Sequence, residues 1–135
     1  TYHAGDSIAA LQRLEDMGIE RYQLKSGLLG IVSQRLMRRL CECAVTRSQP
    51  EERLGLPVAD VRVPGGCDRC QHTGYAGRLV AAELLSRAGI GRVCGEEWDP
   101  AALQVTLVSR GLEAVRTGAT SPAEFRRVFG LKAGQ

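Results

Sequence analysis

The stretch GGCDRCQHTGYAGR, residues 65–78, decides how the middle of this chain folds. It holds two cysteines, Cys67 and Cys70, in C-x-x-C spacing between a glycine pair and the sequence His-Thr-Gly-Tyr. This spacing is found in metal sites and in thiol redox centres, whereas isolated buried cysteines behave as small hydrophobic residues. The structure of this region therefore depends on what the two thiols do.

A second pair of cysteines, Cys41 and Cys43, precedes the first across a loop rich in proline and glycine. Structural Zn²⁺ sites commonly take four ligands from two close pairs separated by a loop. We therefore favour a structural zinc site made of Cys41, Cys43, Cys67 and Cys70. Four cysteine ligands leave no open position on the metal, so the pattern indicates a scaffold rather than a catalytic centre.

Other interpretations of the cysteines stay open. The first pair has C-x-C spacing, which requires a sharp backbone bend, and a poor pair would leave the fourth ligand to His72, Asp68 or water. A redox centre needs a thiol at a helix N-terminus, but glycines flank Cys67 and Cys70 and no helix start is evident. The thiols can also be unmetallated core residues. Cys94 has no partner in sequence and is interpreted as an ordinary thiol.

Composition excludes several classes of protein. The 135 residues are 44% hydrophobic and 4% aromatic, enough for one modest domain or two small ones. The net charge of +3 and the scarcity of aromatic residues argue against nucleic-acid binding. Five cysteines do not close a disulfide framework, which favours a reducing compartment. No apolar run approaches the length of a membrane-spanning helix. Because the sequence begins at Thr1 without a methionine, we interpret it as part of a longer protein.

The first 40 residues predict two helices and a strand. A helix is expected over residues 5–18, with Asp6 as its N-cap and Gly18 in the left-handed conformation after its last turn. A second helix is expected to end near Leu29. A strand then runs to Leu40, because glycines interrupt the helical pattern at this point.

Residues 41–78 are predicted to form an irregular insert that needs a staple, since their hydrophobic content is low. A strand over residues 77–87 is expected to pair with the strand before Cys41, which places the insert within a β-hairpin. The fold class is α+β and mainly helical. The predicted segments are residues 1–40, the metal-binding insert 41–76, and a return strand with a helical subdomain, 77–135.

The last third predicts a bundle of helices. Asp99-Pro100 is a favourable helix start, and Gly111 is expected to end that helix. A short helix follows over residues 112–117. The sequence Ser121-Pro122-Ala123-Glu124 matches a capping box and is expected to open a final helix.

Several stretches appear in an order that resembles the C-terminal part of bacterial secretion ATPases, which drive type II secretion and type IV pilus assembly. They are TYHAGDSIAALQRLEDMGIERYQL, LLGIVSQRLMRRLC, CDRCQHTGYAGR and GATSPAEFRRV. The resemblance spans nearly the whole chain. Its most specific pieces are the tetracysteine insert followed by T-G-Y-x-G-R, and the S-Q-R-L stretch that leads into the first cysteine.

This resemblance implies a hexameric, cytoplasmic motor docked on the bacterial inner membrane. Residues 1–40 would then be the distal end of a RecA-like P-loop ATPase domain, and ATP turnover would move an inner-membrane platform protein. Cytoplasmic domains of the same machine would be further partners, and no nucleic acid is implied. His3 matches a family histidine near the ATP γ-phosphate. The four cysteines at positions 41, 43, 67 and 70 match the zinc ligands of the family.

The sequence contains no G-x-x-x-x-G-K-[ST] motif, so we expect ATP and Mg²⁺ to bind only in the full-length parent. This chain alone is expected to be inactive as an ATPase. Two alternatives from other classes remain at this point: an independent zinc module that binds proteins, and a thiol oxidoreductase.

Overall fold

The computed structural model describes residues 4–95, 103 and 105–130. It divides into a first unit, residues 1–34 with 82–107, and a second unit, residues 35–81 with 108–135. The helices are α1 (Ser7–Asp16), α2 (Arg21–Gly27), α3 (Arg87–Val93), α4 (Leu107–Arg116) and α5 (Pro122–Phe129). The strands are β1 (Gly30–Leu40), β2 (Val45–Arg47), β3 (Val61–Val63) and β4 (Tyr75–Ser86).

These helices and two small sheets confirm the α+β class. Within the part of the chain that is described, none of the helices has the length and apolar character needed to cross a bilayer.

The ends of α1 confirm the prediction for the N-terminal helix. Asp6 caps it, because its Oδ1 accepts a hydrogen bond of 2.7 Å from the Ala9 N–H. Gly18 follows the last turn at φ +87°, a conformation that favours glycine. The sequence also located the change from helix to strand correctly, since α2 ends at Gly27 and β1 begins at Gly30.

A hydrophobic cluster forms the core of the first unit. Its buried members come from α1, α2, β4 and α3, and are Leu11, Leu24, Leu85, Ile90 and Val93. Helix α3 was not predicted, since the two glycines within it lower its helix propensity. It forms because its apolar side joins this cluster and because the Ser86 hydroxyl accepts from the Gly89 N–H at its first turn.

Glu83 on β4 is a buried carboxylate that serves two helix starts in the first unit. Only 3% of the residue is exposed. One carboxylate oxygen accepts from the Ser7 N–H at 2.6 Å, and the other accepts from the Leu107 N–H at 2.8 Å. These are the first residues of α1 and α4, where backbone donors lack helical partners and negative charge is favourable. Glu83 thereby stabilises both helix starts.

Strands β1 and β4 are neighbours in one two-stranded sheet. At the beginning of β1, a Cβ on Gly30 would lie 3.3 Å from the Leu85 carbonyl oxygen near the end of β4. After the last residue of β1, the Cys41 N–H donates to the Gly74 carbonyl, which immediately precedes β4. The insert between the two strands therefore leaves and returns at nearby points of the backbone.

The insert is more ordered than the sequence indicated. Strands β2 and β3 form a second, antiparallel sheet with Val45 opposite Val63 and Arg47 opposite Val61. Val61 and Leu56 are buried in the second unit. These segments are three residues long, too short for a periodic pattern to be recognised in the sequence.

The prediction that Gly111 ends a helix is wrong. Helix α4 runs through Gly111 and ends at Arg116, while the expected helix start at Asp99-Pro100 lies outside the described residues. A Cβ at Gly111 would lie 2.4 Å from Cε2 of Phe129 and 3.0 Å from Cε2 of Phe125. Gly111 therefore allows α5 to approach α4 closely.

Candidate metal centre

The first cysteine pair lies in a tight turn directly after β1. The Cys41 N–H donates to the Gly74 carbonyl at 2.9 Å, and the Cys41 carbonyl accepts from the Ala44 N–H at 3.0 Å. The C-x-C spacing is accommodated because Gly65 passes close beneath this turn. A Cβ at Gly65 would lie 2.2 Å from the Cys43 carbonyl oxygen, so only glycine fits there.

The second pair is presented by a single 3-10 turn, Asp68–Cys70. The Cys67 carbonyl accepts from the backbone N–H groups of Cys70 and His72, which folds the loop back towards its start. The Gly74 N–H points at the Cys70 sulfur, 3.3 Å away. Gly74 has φ +75°, and a Cβ there would lie 2.4 Å from Cβ of Pro64. The glycines of this stretch therefore allow close backbone packing around the sulfur atoms.

The four sulfur atoms converge. They lie within 4.8 Å of one another. The Sγ–Sγ distances are 3.9 Å for Cys41 and Cys67, 3.8 Å for Cys43 and Cys70, and 3.7 Å for Cys67 and Cys70. Sulfur atoms about 2.3 Å from a tetrahedral Zn²⁺ lie about 3.8 Å apart, so the donor set fits this metal in both chemistry and spacing. The cluster could hold a metal ion.

The electrostatics of the cluster favour a bound cation. Burial and the neighbouring thiols raise the pKa of Cys43 to about 12. The backbone hydrogen-bonding environment at Cys67, together with the Gly74 N–H, lowers the pKa of Cys70 to about 6, against the effect of burial. Four adjacent thiolates repel one another, and a divalent cation among them removes that repulsion.

His72 and Asp68, the alternative ligands considered from the sequence, lie next to each other. His72 Nε2 lies 3.2 Å from Asp68 Oδ1, and both side chains are largely exposed. Cys94 packs against the hydrophobic cluster of the first unit, where burial raises its pKa. His3 lies outside the described residues.

An ion pair with a buried carboxylate connects β1 to α5 within the second unit. The Glu124 side chain is fully buried and accepts from the backbone N–H and the guanidinium of Arg38, at 2.6–2.8 Å, and from Arg127. Burial alone would raise the pKa of Glu124, but the hydrogen bonds from Arg127 and Arg38 outweigh it and lower the pKa to about 2. The carboxylate is therefore ionised at neutral pH.

Sequence reasoning assigned Glu124 to a capping box, and this is half correct. The Ser121 Oγ accepts from the Glu124 N–H as expected, but the carboxylate of Glu124 turns to the two arginines. The Ser121 hydroxyl also lies 2.7 Å from the Tyr75 hydroxyl at the end of the insert. The Arg38 guanidinium lies 4.1 Å from the centre of the Tyr75 ring. No local pattern in the sequence indicates these contacts, because their partners are distant along the chain.

The chain is similar in sequence to secretion and pilus assembly proteins. The family model described as type II/IV secretion system protein matches residues 1–127. Type II secretion system protein E of Dickeya dadantii (strain 3937) is 34% identical over an alignment of 147 positions, covering 95% of this chain and 28% of that protein. The type II secretion system ATPase E of Vibrio cholerae is 35% identical, with the same coverage.

A relative from pilus assembly matches as well. The type IV pilus assembly ATPase PilB of Thermus thermophilus is 43% identical over 94 positions, covering 63% of this chain and 11% of that protein. The chain thus spans less than a third of the length of these relatives. On the evidence of a family model that matches nearly its whole length, this chain belongs to the type II/IV secretion system protein family.

Proposed function

We propose that this chain is the distal part of a motor ATPase that powers protein secretion or pilus assembly, with the tetracysteine cluster as its structural zinc site. The observation that carries the proposal is the convergence of four sulfur atoms at tetrahedral spacing in a member of this family. The names of the relatives, which include secretion and pilus assembly ATPases, support the motor role.

The zinc ligands would be Cys41, Cys43, Cys67 and Cys70. Zinc supplies a positive charge that allows all four sulfurs to be thiolates, and it joins the two ends of the insert. The short strands and turns between these ends bury few side chains, so this crosslink would account for most of the stability of the insert. A rigid insert could serve as a docking element for partners.

The remaining parts of the proposal follow from the family. ATP and Mg²⁺ would bind in the parent protein, and His3 would contact the γ-phosphate. Residues 1–40 would end the RecA-like domain, 41–76 would be the metal insert within a β-hairpin, and 77–135 would complete a helical subdomain. The parent would assemble as a homo-hexamer in the cytoplasm, at the inner membrane, with the platform protein and cytoplasmic domains of the machine as partners.

The metal part is tested by elemental analysis of the chain purified without added metal. We expect one zinc per chain and four thiols that become reactive only after chelation. The variant Cys70→Ser should lose the metal, whereas the matched control Cys94→Ser should retain it. Metal-free wild-type protein with five freely reactive thiols would refute the zinc assignment.

The motor part is tested in the full-length parent. We expect His3→Ala to lower kcat for ATP hydrolysis and to stop transport, with zinc content unchanged. Cys70→Ser should impair transport as well, but through loss of zinc. A parent protein that retains full transport after His3→Ala would contradict the assigned role of this histidine and leave the zinc assignment intact.

A further inference from the structure

A groove between α2 and α3 in the first unit has no role in the proposed metal site. Its volume is about 750 Å³, and it is open to solvent. Three residues from each helix line it: Tyr22, Lys25, Ser26, Arg87, Ala88 and Gly91. Since the apolar sides of both helices are used in the core through Leu24 and Ile90, the groove lies on their outer sides.

Small residues form part of the α3 side of the groove. Ala88 and Gly91 stand one turn apart on α3. Among the described residues outside α3, a Cβ built on Gly91 would find only Lys25 Cε within 4 Å, at 3.8 Å. Backbone and side chains of another molecule can therefore approach this part of α3 closely.

The walls combine an aromatic ring with positive charge. Tyr22 is 65% exposed, and tyrosine is among the residues most enriched at protein interfaces. Lys25 and Arg87 are exposed, and neither forms an ion pair with any residue that the structure describes. By contrast, the nearby Arg21 is neutralised by Glu15, with Nε 3.1 Å from Oε1. None of the described residues that line the groove is acidic.

We propose that the groove between α2 and α3 docks an acidic segment of a partner protein, with an aromatic or aliphatic side chain against Tyr22 and carboxylates at Lys25 and Arg87. Charge complementarity selects this occupant, because Lys25 and Arg87 pair with no acidic side chain among the described residues and therefore attract carboxylates. The open, mostly apolar surface suits a peptide with an apolar anchor better than a small anion. Two cations are too few to track a nucleic-acid backbone.

The test uses a fluorescein-labelled peptide with glutamates on both sides of a Leu-Trp pair, and measures fluorescence anisotropy with the whole 135-residue chain. We expect saturable binding that weakens as salt concentration rises. The affinity of a peptide with glutamine in place of glutamate should be lower by a factor of about ten or more. Equal affinity for the two peptides would overturn the proposal, as would no binding of the glutamate peptide.

Charge reversal identifies the surface. The double variant with Lys25→Glu and Arg87→Glu should lose the glutamate peptide and gain affinity for a lysine version of it. Arg47→Glu, an exposed cation on β2, is the matched control and should bind like wild type. Unchanged far-UV circular dichroism verifies folding. Equal losses in both variants would refute the location, and concentration-dependent self-association through Tyr22 in analytical ultracentrifugation would instead identify a second copy as the occupant.

Discussion

The ion pair between Glu124 and its two arginines makes the stability of the chain depend on pH in a calculable way. Hydrogen bonds lower the pKa of Glu124 from 4.5 to about 2. A carboxyl group with a lowered pKa in the folded state contributes its stability fully above the unfolded value. That contribution is lost as pH falls from about 4.5 towards 2.

The magnitude follows from the size of this change. At about 1.36 kcal/mol for each pKa unit, the drop from 4.5 to about 2 corresponds to about 3.4 kcal/mol. The carboxylate is buried, but the Arg38 and Arg127 side chains are 47% and 56% exposed, and water screens their charges. We therefore expect about 2 kcal/mol of acid-sensitive stability from this site.

Urea denaturation measures the contribution of the Glu124 carboxylate to the free energy of unfolding. Replacement of the carboxylate by a neutral amide of similar size, Glu124→Gln, should lower the free energy of unfolding by about 2 kcal/mol at pH 7. The deficit relative to wild type should shrink between pH 4.5 and 2, because the wild-type carboxyl is then protonated too. The exposed Glu113→Gln on α4 is the control, with a change within about 0.5 kcal/mol.

Acid also protonates thiolates and so releases a bound metal, which destabilises every variant. The difference between Glu124→Gln and wild type removes this common contribution. If that difference stays constant from pH 7 to pH 2, the carboxylate does not act through its charge, and the reasoning from its pKa is wrong.

Three further predictions concern the cysteine cluster and the helix contacts. Cys70→Ser should remove hydrogen-exchange protection from residues 41–78 but not from the C-terminal helices, and a uniform loss along the chain would contradict this. Gly111→Ala should destabilise the chain by about 1–3 kcal/mol in urea denaturation, despite the higher helix propensity of alanine, because the new methyl would lie 2.4 Å from the Phe129 ring. Glu83→Gln should cost about 1–3 kcal/mol in the same assay, since an amide offers only one acceptor to two backbone donors. A stability within 0.5 kcal/mol of wild type would show that water satisfies one of those donors.

Only part of the cysteine cluster could be predicted from the spacing of residues in the sequence. The two close pairs of cysteines indicated a four-ligand cluster, and the structure places all four cysteines together. The C-x-C spacing requires a sharp backbone bend between Cys41 and Cys43. This bend is possible because Gly65 leaves room for the Cys43 carbonyl. That contact joins residues 22 positions apart, so no spacing rule contains it.

The sequence by itself determined the features that arise within a few residues of chain. These include the cap of α1 at Asp6, the left-handed Gly18, and the change from helix to strand before Gly30. Each depends on backbone conformation and on hydrogen bonds to near neighbours, which residue types set directly.

Only the tertiary structure decided where the charged side chains of Glu83 and Glu124 go and what Gly111 does. The sequence offers Glu124 to a local cap, but burial next to β1 makes the Arg38 and Arg127 guanidinium groups its partners. Glycine at 111 breaks an isolated helix, yet here its missing side chain admits the Phe129 ring and α4 continues. In each case contacts between distant residues outweigh a local preference, because a buried charge or a filled core position is worth more free energy than a single cap or a helix propensity.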